Sequence, residues 1–153
     1  MRNRVLVLCL IILGALILFR TGTRPEVVPE QKKGNITILL PTGGKIFVEI
    51  ADTDEARELG LGNRDSIGDS EGMLFVFEAP DFHGIWMKGM RFPLDIVWLD
   101  EGLRVVAMKE NVTVDTYPQS FFPKERASSV LELKAGTATK DEITVGSVLT
   151  LKR

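Results

Sequence analysis

From residue 34 onward the chain alternates short apolar runs with glycine, proline and polar breaks at a spacing of about 8 to 12 residues, the rhythm of an all-β domain. Residues 36–40 and 45–51 are β-rich runs separated by Pro41-Thr42-Gly43-Gly44, a hairpin signal. In the second run Ile46, Val48 and Ile50 alternate with Phe47 and Glu49, so one side faces a core. Thr53 and the acidic Asp54 and Glu55 then precede Ala56 and Leu59, which predicts a short helix over 53–59 stopped by Gly60 and Gly62. Residues 73–77 are apolar at every position and predict a strand covered on both faces. The same reading applies to 84–88 and 95–100, joined by Gly89 and Pro93, and Glu101-Gly102 turns the chain into 103–109, giving three adjacent strands. Residues 111–127 are irregular, with Pro118 and Pro123. Short strands at 130–133, 143–145 and 148–151 close the pattern. The expected class is therefore mainly β, a β-sandwich of jelly-roll-like kind over residues 34–153 with one short helix.

The N-terminus follows a different pattern. Arg2 and Arg4 precede an uncharged run from residue 5 to residue 19, the order of a signal helix or membrane anchor. Small residues suited to cleavage are confined to Thr21, Gly22 and Thr23 behind Arg20, which favours an uncleaved anchor over residues 1–20. Residues 21–33 hold two prolines and no apolar periodicity, and read as a tether. The expected location is membrane-anchored, with the folded domain outside the cytoplasm. The lone Cys9 lies in the apolar run and excludes an internal disulfide.

Charge divides along the same boundary. Residues 1–33 carry six Lys/Arg against two Asp/Glu, whereas residues 34–153 carry thirteen against nineteen. An acidic folded part without a basic run argues against nucleic acid as a partner.

Candidate chemistry is sparse. Asp95 stands between Leu94 and Ile96, and Glu132 between Leu131 and Leu133, so both carboxylates lose water and need either a partner or a proton. Facing one cleft, the two would form a hydrolytic pair. His83 is the only histidine, and with Cys9 in the anchor no zinc or copper site can be assembled. Asp65, Asp69 and Glu71 do not match a calcium loop and read as a solvated acidic loop. No metal and no cofactor are expected, and none of the common nucleotide-binding or hydrolase motifs occurs. Trp86 and Trp98 fit a core, whereas Tyr117, Phe121 and Phe122 lie in a proline-flanked loop and suit a pocket cover or a partner surface.

Several ordered motifs together resemble the domain of unknown function 192 family: Arg57-x-x-Gly60-Leu61-x-x-Arg64, Gly72-Met73-Leu74-Phe75-x-Phe77, Trp86-Met87-Lys88, Pro93-Leu94-Asp95-Ile96 and Leu131-Glu132-x-x-Ala135-Gly136. The resemblance implies a compact sandwich-like domain, often exported or membrane-anchored in prokaryotes, with no established activity. Gly89-Met90 stands where the family commonly has Asn-Thr, and Ser147 where an aspartate often follows the glycine. Carried onto this chain, the motifs point to a polar set of Arg57, Arg64, Lys88, Asp95 and Glu132. Beside it lies a candidate binding surface of His83, Trp86, Tyr117, Phe121 and Phe122. The leading expectation is a module that binds a small ligand or an envelope partner, and the alternative is a hydrolase using Asp95 and Glu132.

Overall fold

The computed structural model describes residues 36–152. The anchor expected over 1–20 and the tether over 21–33 lie outside the described residues, among which no helix is long and apolar enough to cross a membrane. Nine strands, two short α-helices and one 3-10 turn make up the described part: β1 (Ile36–Leu39), β2 (Lys45–Ala51), α1 (Asp54–Leu59), β3 (Glu71–Asp81), β4 (Ile85–Trp86), β5 (Leu94–Leu99), β6 (Val105–Val112), the 3-10 turn (Val114–Thr116), β7 (Ser120–Phe121), β8 (Ala127–Lys134), α2 (Thr137–Lys140) and β9 (Thr150–Lys152). Seven strands form one mixed sheet in the order β6-β5-β8-β3-β2-β1-β9, and β4 pairs with β7 in a separate ribbon.

The protein is thus mainly β, but its sheet is not the sandwich expected from the pattern. Instead of two stacked sheets, one sheet curls until its ends meet: Arg104, just before β6, bridges Val148, just before β9. Val105 N–H donates to the Ser147 carbonyl at 2.8 Å, and Leu149 N–H to the Leu103 carbonyl at 3.0 Å. Joining the ends leaves fewer open backbone groups, as in a barrel. The one parallel pair is β2 with β3, and the chain passes between them through α1. A strand set alternating with turns looks the same in sequence whether the sheet stacks or curls, because the deciding pairings join residues far apart in the chain.

Local predictions fare better. Leu40 N–H donates to the Gly44 carbonyl across the expected β1–β2 turn, where Gly43 takes φ +90°. The Thr53 hydroxyl caps α1 by accepting the Ala56 N–H at 3.2 Å. Strands β5 and β6 pair as expected. Three expectations fail. The run 84–88 shrinks to the two residues of β4, which pair not with β5 but with β7, inside the segment expected to be irregular. Residues 143–145 form a turn rather than a strand, held where Thr144 N–H donates to the Ser147 hydroxyl. Helix α2 adds a second short helix to the one expected.

Two apolar clusters lie on either side of the sheet. One gathers Ile38, Ile46, Val48, Leu74, Val97, Leu99, Leu131 and Leu133, the surface the curled sheet encloses. The other gathers Met73, Phe75, Ile96, Trp98 and Val130 with residues from α1 and the connections that cover this side. Strands β3, β5 and β8 contribute to both, which is why their sequences carry no polar alternation and why all six residues of β5 are buried.

Candidate functional site

The sheet register decides the fate of the two carboxylates. Asp95 is opposite Leu133, and Ile96 is opposite Glu132. Facing residues of an antiparallel pair project to the same side, and neighbours along a strand to opposite sides. Asp95 therefore belongs with Leu133, Val97 and Leu99 on the enclosed side, and Glu132 with Ile96 and Met73 on the other. The paired-carboxylate arrangement is excluded, and with it the hydrolase built on that pair.

Asp95 is fully buried and fully used. Its Oδ1 accepts the Asn111 N–H and its Oδ2 the Ala138 N–H, both at 2.8 Å. One side chain thereby fixes the end of β6, where Asn111 takes φ +52°, and the first turn of α2. This is a structural role. Arg64 is structural as well: its guanidinium grips both oxygens of Glu49 on β2, at 2.7 and 2.9 Å, and that hydrogen-bonded pairing holds its proton more firmly than usual.

The remaining three members of the polar set converge. Arg57, Lys88 and Glu132 line one cavity of about 190 Å³, together with Trp86, Phe75, Phe77, Leu61, Ile85 and Met90. Glu132 is buried, its Oε2 has no hydrogen-bond partner, and desolvation pushes its carboxyl up to about 8, so the side chain is predominantly protonated at neutral pH. The two cations are already engaged. Arg57 donates to the Val76 carbonyl at 2.7 Å and pairs with Asp54, while its guanidinium lies 5.3 Å from the Phe77 ring centre. Lys88 pairs with Glu58 at 2.7 Å and lies 5.5 Å from the Trp86 ring. That contact holds the exposed Glu58 carboxyl below its usual range and the Lys88 ammonium above its own.

Local sequence explains how these groups are delivered. Helix α1 is one turn and a half long and ends at Gly60, whose φ of +51° and proximity to the Phe75 ring both disfavour a side chain. Two residues later Gly62 passes so close to the Leu59 and Lys88 carbonyls that a Cβ would lie 2.8 and 3.2 Å from them. Asn63 N–H then donates to the Gly89 carbonyl. The Gly60-to-Arg64 loop is thereby docked on the Trp86-Met87-Lys88 segment, and α1 and β4 form opposing parts of one cavity wall.

The candidate binding surface divides. Pairing of β4 with β7 brings Trp86 opposite Ser120 and Ile85 opposite Phe121. Phe121 packs on the cavity-side core, while the exposed Phe122 ring lies over Gly84, where a Cβ would come within 2.5 Å of it. Tyr117 is also exposed. His83 stacks on Phe77 with ring centres 3.5 Å apart, and its Nε2 is 3.0 Å from the Ala79 carbonyl. It opens onto an adjoining polar groove shared with Arg57, Asp52, Asp81 and Arg126 rather than onto the cavity itself. Sequence reasoning missed Phe75, Phe77, Glu58 and Met90 as cavity residues. The same-face spacing of Met73, Phe75 and Phe77 was the available signal.

Among the described residues no group of three metal-ligating side chains comes together; Asp65 and Asp69 pair with Arg91 and Lys134.

A single curled sheet with an aromatic-walled cavity on its outer side defines a small β-domain with a buried acid, Glu132, among the residues that line a pocket. The chain belongs to the domain of unknown function 192 family, described as "Uncharacterized ACR", whose profile matches residues 37–151. Two solved structures are similar. A protein from Sinorhizobium meliloti 1021 named "putative transcription regulator" superposes with a TM-score of 0.69 at 27% identity, over 75% of this chain and 90% of that one. A protein of unknown function from Novosphingobium aromaticivorans gives a TM-score of 0.67 at 28% identity, over 75% and 82%. No curated protein matches the sequence.

Proposed function

We propose that this protein is a non-catalytic module that binds a small ligand in the cavity above Glu132, and that residues 1–20 hold it at a membrane with the folded domain outside the cytoplasm. The observation that carries the binding reading is the unpartnered, buried Oε2 of Glu132, a residue of the lining of a cavity walled by Phe75, Phe77, Trp86, Leu61 and Ile85. Burying a polar oxygen without a partner costs about 1–3 kcal/mol, and a ligand that supplies the missing partner recovers that cost. Among the described residues around Glu132, Arg57 and Lys88 are tied to carboxylates, the Glu58 carboxylate is held by Lys88, and Asp95 is on the other side of the sheet. The membrane reading is supported by Arg2 and Arg4 ahead of the uncharged run 5–19.

A transcriptional role like that named for the Sinorhizobium protein finds no support in charge, because residues 34–153 hold thirteen Lys/Arg against nineteen Asp/Glu. The binding reading is tested by following the Trp86 indole N–H while the full chain is titrated with a fragment collection spanning neutral, cationic and anionic heads. Saturable shifts that vanish in Glu132→Leu support it, and the absence of any saturable shift refutes it. Fractionation and protease access in intact cells test the membrane reading; a chain found in the soluble fraction overturns it.

A further inference from the structure

Resting on the pocket reading above, we infer that the ligand group entering the cavity is electrically neutral and about the size of one ring, with a carboxamide-like head that pairs with Glu132 and a flat apolar body between the aromatic walls.

Size comes first. The cavity holds about 190 Å³. An apolar cavity of about 150 Å³ accommodates a benzene molecule, so a single substituted ring fits here and a larger molecule can place only its end inside. The walls suit such a body, since Phe75, Phe77 and Trp86 present rings and Leu61 and Ile85 aliphatic surface.

Head-group charge is constrained by what already lines the space. A cationic head seeks a carboxylate and an aromatic face. Here two aromatic rings of the cavity already carry cations, Arg57 near Phe77 and Lys88 near Trp86, so an incoming ammonium meets two like charges at the same rings. An anionic head needs a free cation, and both are committed, to Asp54 and to Glu58. The interior polar group that remains is Glu132, with Oε2 unpartnered. In its protonated form a carboxylic acid is one O–H donor and one carbonyl acceptor. A carboxamide offers the complementary acceptor and donor side by side, and satisfies both oxygens without adding charge to a desolvated site.

The protonation state agrees with this geometry, because burial raises the Glu132 carboxyl to about 8. The charged groups that share its cavity are Arg57 and Glu58 from α1 and Lys88 from the segment after β4, while its cross-strand neighbours on β3 and β5, Met73 and Ile96, are apolar. Glu58 is shifted down and Lys88 up, away from neutrality, which leaves Glu132 as the group whose ionisation around pH 8 controls the head-group pairing.

The experiment uses three probes with one ring and different heads, benzamide, benzylammonium and benzoate, titrated into the full-length chain at pH 6.5 with the Trp86 indole N–H as readout. Benzamide is expected to bind at least tenfold more tightly than either charged probe. Its affinity should fall by up to about tenfold per pH unit above 8, as Glu132 loses the donated proton. Glu132→Gln should retain benzamide and abolish that pH response, and Glu132→Leu should lose benzamide. Tighter binding of benzylammonium or benzoate overturns the neutral-head inference while leaving the pocket reading intact. Undiminished benzamide binding in Glu132→Leu overturns the role of Glu132 in the same way. If none of the three probes shifts the indole signal and the wider fragment collection also fails, both the inference and the pocket reading fall; if only these three fail, the inference alone falls.

Discussion

Asp95 and Glu132 are diagonal neighbours across the β5–β8 ladder, both carboxylic acids, both buried, and they resolve the cost of burial in opposite ways. On the enclosed side of the sheet Asp95 meets two backbone N–H groups, from the end of β6 and the first turn of α2, and both of its oxygens are used. On the outer side Glu132 meets rings and aliphatic carbons, keeps an oxygen unpartnered and holds its proton to about pH 8. The difference teaches that burial alone does not mark a functional acid. A buried carboxylate saturated by the backbone organises the fold, whereas one left unsaturated beside a cavity is a candidate for a binding site.

The largest effect that separates the two concerns pH. The Glu132 carboxyl has its pKa raised from 4.5 to about 8 on folding, so its contribution to stability is fully present below 4.5 and is lost as pH rises through about 8. Denaturant melts of Glu132→Gln against the native chain should therefore diverge in favour of the variant over that window, by at most about 1.4 kcal/mol per pH unit. A divergence absent across the window would place the Glu132 carboxyl near its ordinary pKa and erase the contrast. Next in size, Asp95→Asn should lose about 2–4 kcal/mol in a urea melt at pH 7, because the new amide N–H₂ confronts an N–H donor from Asn111 or Ala138. A stability unchanged within error would mean that the two backbone donors do not depend on the carboxylate.

Smaller effects sharpen the comparison at its margins. Arg64→Ala removes a half-buried two-pronged ion pair with Glu49 and should cost about 1 kcal/mol, measured by the same melt, without altering probe binding. Lys88→Ala should leave the melt unchanged, since the Lys88–Glu58 pair is exposed to solvent, while admitting benzylammonium more readily at Trp86. Equal exclusion of the cation in that variant would show that Lys88 does not guard the ring.

The sequence displayed some parts of this arrangement clearly. The Pro41-to-Gly44 turn, the Thr53 cap and the Glu101-Gly102 connection depend on residues adjacent in the chain, and each occurs where local turn and capping chemistry puts it. The anomaly of Asp95 and Glu132, acids inside apolar strands, was equally visible. Whether they face one cleft was not legible, because each strand's alternation states which residues share a face within that strand but not which face of the neighbouring strand lines up with it. The same limit hid the β4–β7 ribbon, whose partners are separated by two full strands of the main sheet, and turned an expected sandwich into a curled single sheet.

By itself, then, the chain determined its mainly β class, the turns at 41–44 and 101–102, the two-faced burial of β3 and β5, and the family to which it belongs, all properties of residues close together or of motifs in fixed order. Tertiary structure alone decided that Asp95 meets backbone donors while Glu132 meets a cavity, and that Arg57, Lys88 and Trp86 gather over the latter. The reason is register: a shift of one residue between β5 and β8 would set Asp95 opposite Glu132 and put both acids on one face, and register is fixed by the sum of long-range packing rather than by either strand.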